Sequence, residues 1–195
     1  KINNHNFIPR IDTESIFEVF QEIKLNPRNI LELGTGSGAI IIALLKTFSK
    51  AKGLATDISY EAIYMAKKNA ILNNVNNRVN FICCNWLDVF ANINYDVIVS
   101  NPPYIKTRVI KSLEPEVKDH EPFMALDGGF DGLEAYRMIL SNINKISKKS
   151  MFVLFEMGHD QAKSLGEIMK INGLNNIKVF NDYNQKSRFI IGLKE

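Results

Sequence analysis

Three glycines alternate with small hydroxyl residues in Gly34-Thr35-Gly36-Ser37-Gly38, between an apolar segment, Asn29 to Leu33, and a helical stretch running through Leu45. A strand apolar enough to be buried on both faces, a tight turn and a helix together form the opening unit of a parallel, helix-covered sheet. Glycines allow that turn and let the backbone approach a ligand with no Cβ in the way, so that backbone amides face the ligand. The spacing is G-x-G-x-G rather than the G-x-G-x-x-G of a dinucleotide turn, which weakens the case for a nicotinamide cofactor. A tight turn with no ligand is the competing reading.

Helical and strand signals alternate along the rest of the chain. A first helix is predicted from Asp12, with Asp12 or Thr13 as its cap, to about Lys24, and Asn26-Pro27 ends it. A second strand over Gly53 to Thr56 ends at Asp57, a helix follows from Tyr60 to Asn73, and a third strand covers Val79 to Cys83. The fourth strand, Asp96 to Val99, closes at Ser100; a loop rich in Pro, Glu and Gly then runs to Asp131, and a helix continues to Ile146. Met151 to Phe155 is the fifth strand and His159 to Ile171 a helix, before two antiparallel strands, Ile177 to Asn181 and Ser187 to Leu193. This is the pattern of an α/β fold with a largely parallel sheet, and 195 residues with 46% hydrophobic content suit one domain over 1–195.

Function classes fall away on composition. No run of about 18 apolar residues appears, and KINNHNF lacks the basic start and apolar stretch of a signal peptide, so a soluble cytoplasmic protein with no membrane partner is expected. Cys83 and Cys84 are adjacent in VNFICC and offer no disulfide framework. His5, His120 and His159 lack the spacing of a metal site, and none is predicted. A net charge of +3 does not amount to a basic stripe, which argues against nucleic acid as a direct substrate.

The chemistry is carried by a few positions. Asp57 ends a strand about 20 residues beyond the glycine turn, the offset at which an acid accepts hydrogen bonds from ribose hydroxyls; it also reads as a helix cap. Glu32 stands where a carboxylate meets the amino group of a cofactor's methionine part, or is a solvent-facing strand end. Trp86 packs on an adenine ring while Asn85 bonds its edge, or simply covers the sheet. Asn101-Pro102-Pro103-Tyr104, at the end of strand four, is the most informative segment. Two prolines fix their own φ and restrict Asn101, whose amide and the Pro102 carbonyl suit a substrate NH2 group. Tyr104 stacks on the flat group, and transfer of a methyl to a weakly nucleophilic sp2 nitrogen then needs positioning rather than a strong base.

These residues resemble the protein-(glutamine-N5) methyltransferase family, called HemK or PrmC, which modifies the GGQ glutamine of class 1 peptide-chain release factors. The resemblance spans nearly the whole chain. It is carried by FIPRIDTE from Phe7, LELGTGSGAI from Leu31, ATDIS from Ala55, SNPPYI from Ser100, EPFMALDGGFDGL from Glu121, and LFEMGHDQ from Leu154. It implies a Rossmann-like class I S-adenosylmethionine-dependent fold, a seven-stranded mostly parallel sheet with an antiparallel final hairpin. Glu32, Gly34, Thr35, Gly36, Ser37, Gly38, Asp57, Asn85, Trp86 and Asn101 would then touch S-adenosylmethionine. Asn101, Pro102, Pro103 and Tyr104 would hold the glutamine amide and act catalytically, and Phe7, Pro9 and Arg10 would line the substrate entrance. Glu32 replaces a more usual Asp, Ile11 and Asp12 stand where Pro and Glu are usual, and Asn85 replaces a common Asp. The family's N-terminal helical domain is expected to be absent from this chain, and a monomer is the default. The alternatives are methylation of an exocyclic amino group in DNA or RNA, and a non-catalytic cofactor-binding module.

Overall fold

The computed structural model describes residues 16–87, 94–115, 122–146 and 150–195. The predicted cap at Asp12 or Thr13, the entrance residues Phe7, Pro9 and Arg10, and His5 and His120 lie outside them. Helix α1, Ile16–Glu22, buries Ile16, Val19 and Phe20 at helical spacing. Strand β1, Asn29–Leu33, leads into α2, Ala39–Thr47, whose Ile41, Ile42, Leu44 and Leu45 are all buried. Strand β2, Lys52–Asp57, is followed by α3, Tyr60–Leu72, and β3, Val79–Cys83.

Strand β4, Val97–Ser100, begins one residue later than expected because the Asp96 carboxylate turns to the β1 terminus, accepting from the Arg28 and Asn29 amides at 2.6 and 2.8 Å. Two short helices, α4, Thr107–Ile110, and α5, Phe123–Leu126, interrupt the predicted loop to Asp131. Helix α6, Glu134–Asn142, ends before the predicted Ile146 because its last turn tightens into a 3-10 helix, Ile143–Lys145. Strand β5, Met151–Glu156, is followed by α7, Ala162–Ile171, then β6, Leu174–Asn181, and β7, Ser187–Lys194. Strand β6 starts before the predicted Ile177: buried Leu174 pairs with Lys194, and a register shift between Asn175 and Lys178 restarts the ladder.

One seven-stranded sheet runs in the order β3-β2-β1-β4-β5-β7-β6. Strands β3, β2, β1, β4 and β5 pair in parallel, and β7 runs antiparallel to both β5 and β6. The side chains of the parallel strands alternate between two cores, one on each face. Leu31, Leu33, Ile98, Val153 and Phe155 meet α6 and α7, while Ile30, Val97, Val99 and Leu154 meet α1 and α2. Full burial of each such aliphatic side chain is worth about 1.5–3 kcal/mol, so the sheet's centre holds the stability. No helix among the described residues is long and apolar enough to cross a membrane.

The strand order has a consequence for function. From β1 the chain builds outward through β2 to β3, then returns to lay β4 on the other side of β1. The crevice beyond the carboxyl ends of β1 and β4 is the switch point at which open α/β sheets bind ligands.

Gly38 shows how tightly the first turn sits. It is left-handed, φ 82°, and a Cβ there would lie 3.1 Å from the Ala66 Cβ of α3. Gly38→Ala should therefore cost about 1–3 kcal/mol, read as a fall in unfolding free energy in urea; an unchanged midpoint would show that the turn can relax.

Candidate active site

A cavity of about 630 Å³ opens at the switch point, lined by the glycine turn, the ends of β1, β2 and β4, and α5. Its wall includes Glu32, Gly34, Thr35, Gly36, Ser37, Asp57, Asn85, Trp86 and Asn101 to Tyr104, so the structure brings these predicted residues together. Gly38 stands behind the wall, against α3.

Asp57 organises the turn. Its Oδ2 accepts from the Gly36 amide at 2.8 Å and its Oδ1 from the Ser59 amide at 2.9 Å. The helix cap is Ser59, whose hydroxyl accepts from the Ala62 amide at 3.2 Å; Asp57 is thus not the cap of α3. Burial raises the Asp57 carboxyl above its ordinary range, against the lowering effect of the Ser59 and Gly36 amides. An ideal Cβ on Gly36 would find no atom within 4 Å, leaving open space above the turn. From α3, Asn69 closes the turn from behind, its amide donating to the Ser37 carbonyl at 2.9 Å.

Glu32 is only 1% exposed, which overturns the reading of a solvent-facing strand end. Its carboxyl accepts from the Thr35 hydroxyl. Burial pushes it up to about 8, opposed by the Thr35 hydroxyl and the Ile41 amide and reinforced by the Asp57 charge. With the folded value above the unfolded one, the group's contribution to stability is fully present below about pH 4.5 and is lost as pH rises towards 8. Glu32→Gln should flatten that slope in urea unfolding followed from pH 5 to 8; parallel profiles for the two proteins would remove Glu32 as its source.

Trp86 has a positive φ of 43°, uncommon for a non-glycine residue. Its ring lies 3.3 Å from where a Gly34 Cβ would sit, and it also packs against the core on the α6 face. It therefore covers the sheet and presents a ring to the cavity at once, while Asn85 is exposed at the rim.

The Asn101 segment is fixed from below. The Ser100 hydroxyl donates to the Leu33 carbonyl at 2.8 Å, tying the ends of β4 and β1 together. Pro102 is buried, Asn101, Pro103 and Tyr104 are half-buried, and no peptide bond among the described residues is cis. Behind Tyr104 lies a polar frame that motif reading did not single out. Gln161 donates to the Tyr104 carbonyl at 3.0 Å, and Arg188 reaches the Tyr104 hydroxyl at 3.5 Å. Arg188 is itself held by buried Asp182 at 3.1 Å, whose other oxygen accepts from the Asn184 and Lys186 amides. The only sequence signal for Gln161 was its place in LFEMGHDQ; Asn69, Asp182 and Arg188 carried none.

Five acidic side chains line the cavity, Glu32, Asp57, Glu61, Asp127 and Glu134, and no Lys, Arg or His among the described residues does. In a chain of net charge +3 that is a local inversion of sign, suited to a ligand carrying positive charge. No group of three or more His, Cys, Asp or Glu that could hold a metal occurs among the described residues.

The parallel sheet, the switch-point cavity and the reversed last hairpin define a class I methyltransferase fold. The Methyltransferase small domain family (MTS) matches residues 10–114. The chain is 36% identical over 198 residues to the release factor glutamine methyltransferase of Caulobacter vibrioides, covering 100% of this chain and 68% of that one, and it belongs to that family. It spans 40% of the length of the bifunctional methyltransferase of Rickettsia typhi, to which it is 36% identical over 97% of this chain. Among solved structures, the release-factor-specific protein-(glutamine-N5) methyltransferase of Alicyclobacillus acidocaldarius aligns with TM-score 0.55 and 23% identity, over 96% of this chain and 94% of that one. The catalytic domain of hMettl16, in complex with MAT2A 3'UTR hairpin 6, shares the fold with TM-score 0.75 and 18% identity, over 100% of this chain and 74% of that one.

Proposed function

We propose that this chain transfers a methyl group from S-adenosylmethionine to the side-chain amide nitrogen of the GGQ glutamine in class 1 peptide-chain release factors. The observation that carries the reading is the adjacency of β1 and β4, which sets the glycine turn and Asn101 to Tyr104 on one cavity.

The residues present suit the cofactor. Its sulfonium and amino groups outweigh its carboxylate, matching a wall with five acidic side chains, of which a bound cation would favour the ionised forms, and no cation among the described residues. Glu32 would take the amino group, Asp57 the ribose hydroxyls, Trp86 and Asn85 the adenine, and the turn from Gly34 to Gly38 the remainder. When bound, S-adenosylmethionine supplies the electrophilic methyl group. The protein supplies position: the Asn101 side-chain oxygen and the Pro102 carbonyl would accept from the acceptor NH2, and Tyr104 would pack on its plane.

Asn101, Pro102, Pro103 and Tyr104 are thus the catalytic segment of this reading. Phe7, Pro9 and Arg10 remain its expected entrance residues by resemblance. The reading makes residues 1–195 one catalytic domain, in keeping with the single sheet, and the protein cytoplasmic, in keeping with free Cys83 and Cys84.

The test is incubation with labelled S-adenosylmethionine and an unmethylated class 1 release factor, beside its GGQ glutamine-to-alanine variant and an adenine-containing RNA, with the label located by peptide mass. Label on the unaltered release factor alone supports the reading. Label on the RNA, or on both release factors alike, overturns it.

A further inference from the structure

We infer that Gln161 is a positioning residue for the methyl acceptor, a tie that holds the Asn101 to Tyr104 segment against the Gly128 to Gly132 loop. The inference rests on the proposed role of that segment in gripping the acceptor amide.

Gln161 is 5% exposed and sits in the turn between β5 and α7. Its Nε2 donates to two carbonyls from different loops, Tyr104 and Gly132, each at 3.0 Å. Its Oε1 accepts from the Gly158 amide at 2.9 Å, so the side chain is itself anchored to its own turn. Only a primary amide supplies two donors and an acceptor in this plane. That anchoring also accounts for α7 starting at Ala162 rather than at the predicted His159, because residues 158–161 close a turn of their own.

The two loops could not otherwise meet so closely. A Cβ on Gly132 would lie 2.5 Å from the Tyr104 carbonyl oxygen and 2.6 Å from the Gln161 Nε2, so the contact needs glycine. Beyond the tie, the loops are stitched by three backbone bonds. Ile105 donates to Leu126 at 3.0 Å, Gly128 to Ile105 at 2.8 Å and Thr107 to Gly129 at 3.0 Å. The Gln161 Nε2 gives a donor to each of these two carbonyl oxygens and so joins the two loops through one side chain. Removing it takes a donor from the buried Gly132 carbonyl and from the part-buried Tyr104 carbonyl and loosens the hold on Tyr104. The glycine turn and Asp57 are held by bonds of their own in which Gln161 takes no part, so most of the proposed cofactor contacts keep their geometry without it.

The test compares wild type with Gln161→Glu, which keeps the shape and the acceptor but loses both N–H donors, and with Gln161→Met, an apolar replacement of similar length. Amide hydrogen exchange at Ile105 and Gly128 should quicken by about tenfold or more in both variants, while the Gly36 amide keeps its wild-type rate. The S-adenosylmethionine Kd should stay within about twofold, and kcat/KM for the release factor should fall about 10- to 100-fold. Unchanged exchange at Ile105 and Gly128, faster exchange with wild-type turnover, or loss of cooperative unfolding in both variants would overturn the inference. If wild type methylates no release factor, the glutamine reading fails, and the exchange arm still decides whether Gln161 ties the loops.

Discussion

Asn101→Ala is expected to lower kcat for methyl transfer at saturating cofactor by about 10²- to 10³-fold, with thermal unfolding close to wild type. The loss is large because the acceptor amide nitrogen is a poor nucleophile whose lone pair is delocalised into its carbonyl. What the protein can offer is orientation: two acceptors on the NH2 protons hold the nitrogen where its lone pair faces the methyl group. Asn101 is half-buried on the cavity wall, after a strand tied to β1 by Ser100 and before a buried proline. The fold therefore keeps its anchor when the Asn101 side chain is cut back. Single-turnover kinetics with saturating cofactor would check the prediction, since they isolate transfer from binding. Turnover within about threefold of wild type would remove Asn101 from the grip on the acceptor.

Asp57→Ala should instead act on the cofactor, raising its Kd about 10- to 100-fold as measured by calorimetry, equivalent to about 1.4–2.8 kcal/mol. Two effects combine. The carboxylate proposed to accept from the ribose disappears, and the Gly36 and Ser59 amides lose the acceptor that shapes the turn. Hydrogen bonds to a charged group are worth about 1.5–3 kcal/mol, so losing them also loosens the turn itself. Asp57→Asn separates the contributions, because a carboxamide oxygen can still accept from one of the two amides while the charge is gone. A Kd near wild type for Asp57→Ala would reduce Asp57 to a purely structural tie.

The polar frame behind Tyr104 accounts for why motif reading found the acceptor segment but not its support. Asn101 to Tyr104 announces itself through proline stereochemistry, which acts on adjacent residues and is visible in a tetrapeptide. Gln161 and Arg188 stand 57 and 84 positions away from Tyr104, and neither type nor spacing marks them. Glu32 lies between these cases. Its position at the strand end was legible, but its burial, and the raised carboxyl that follows from burial, come only with the packed fold.

Strand identities, the longer helices, the glycine turn and the proline-braced segment follow from interactions within a few residues, and the sequence by itself determined them, with errors at element ends and with the short helices α4 and α5 missed. The errors at element ends share a cause: Asp96, Gln161 and the bulge after Asn175 are set by partners elsewhere in the chain. Strand order was different in kind. Only the tertiary structure decided that β4 returns beside β1, which brings the turn and the acceptor segment to one cavity, because side-chain burial across a whole sheet selects the order and no local window contains that information.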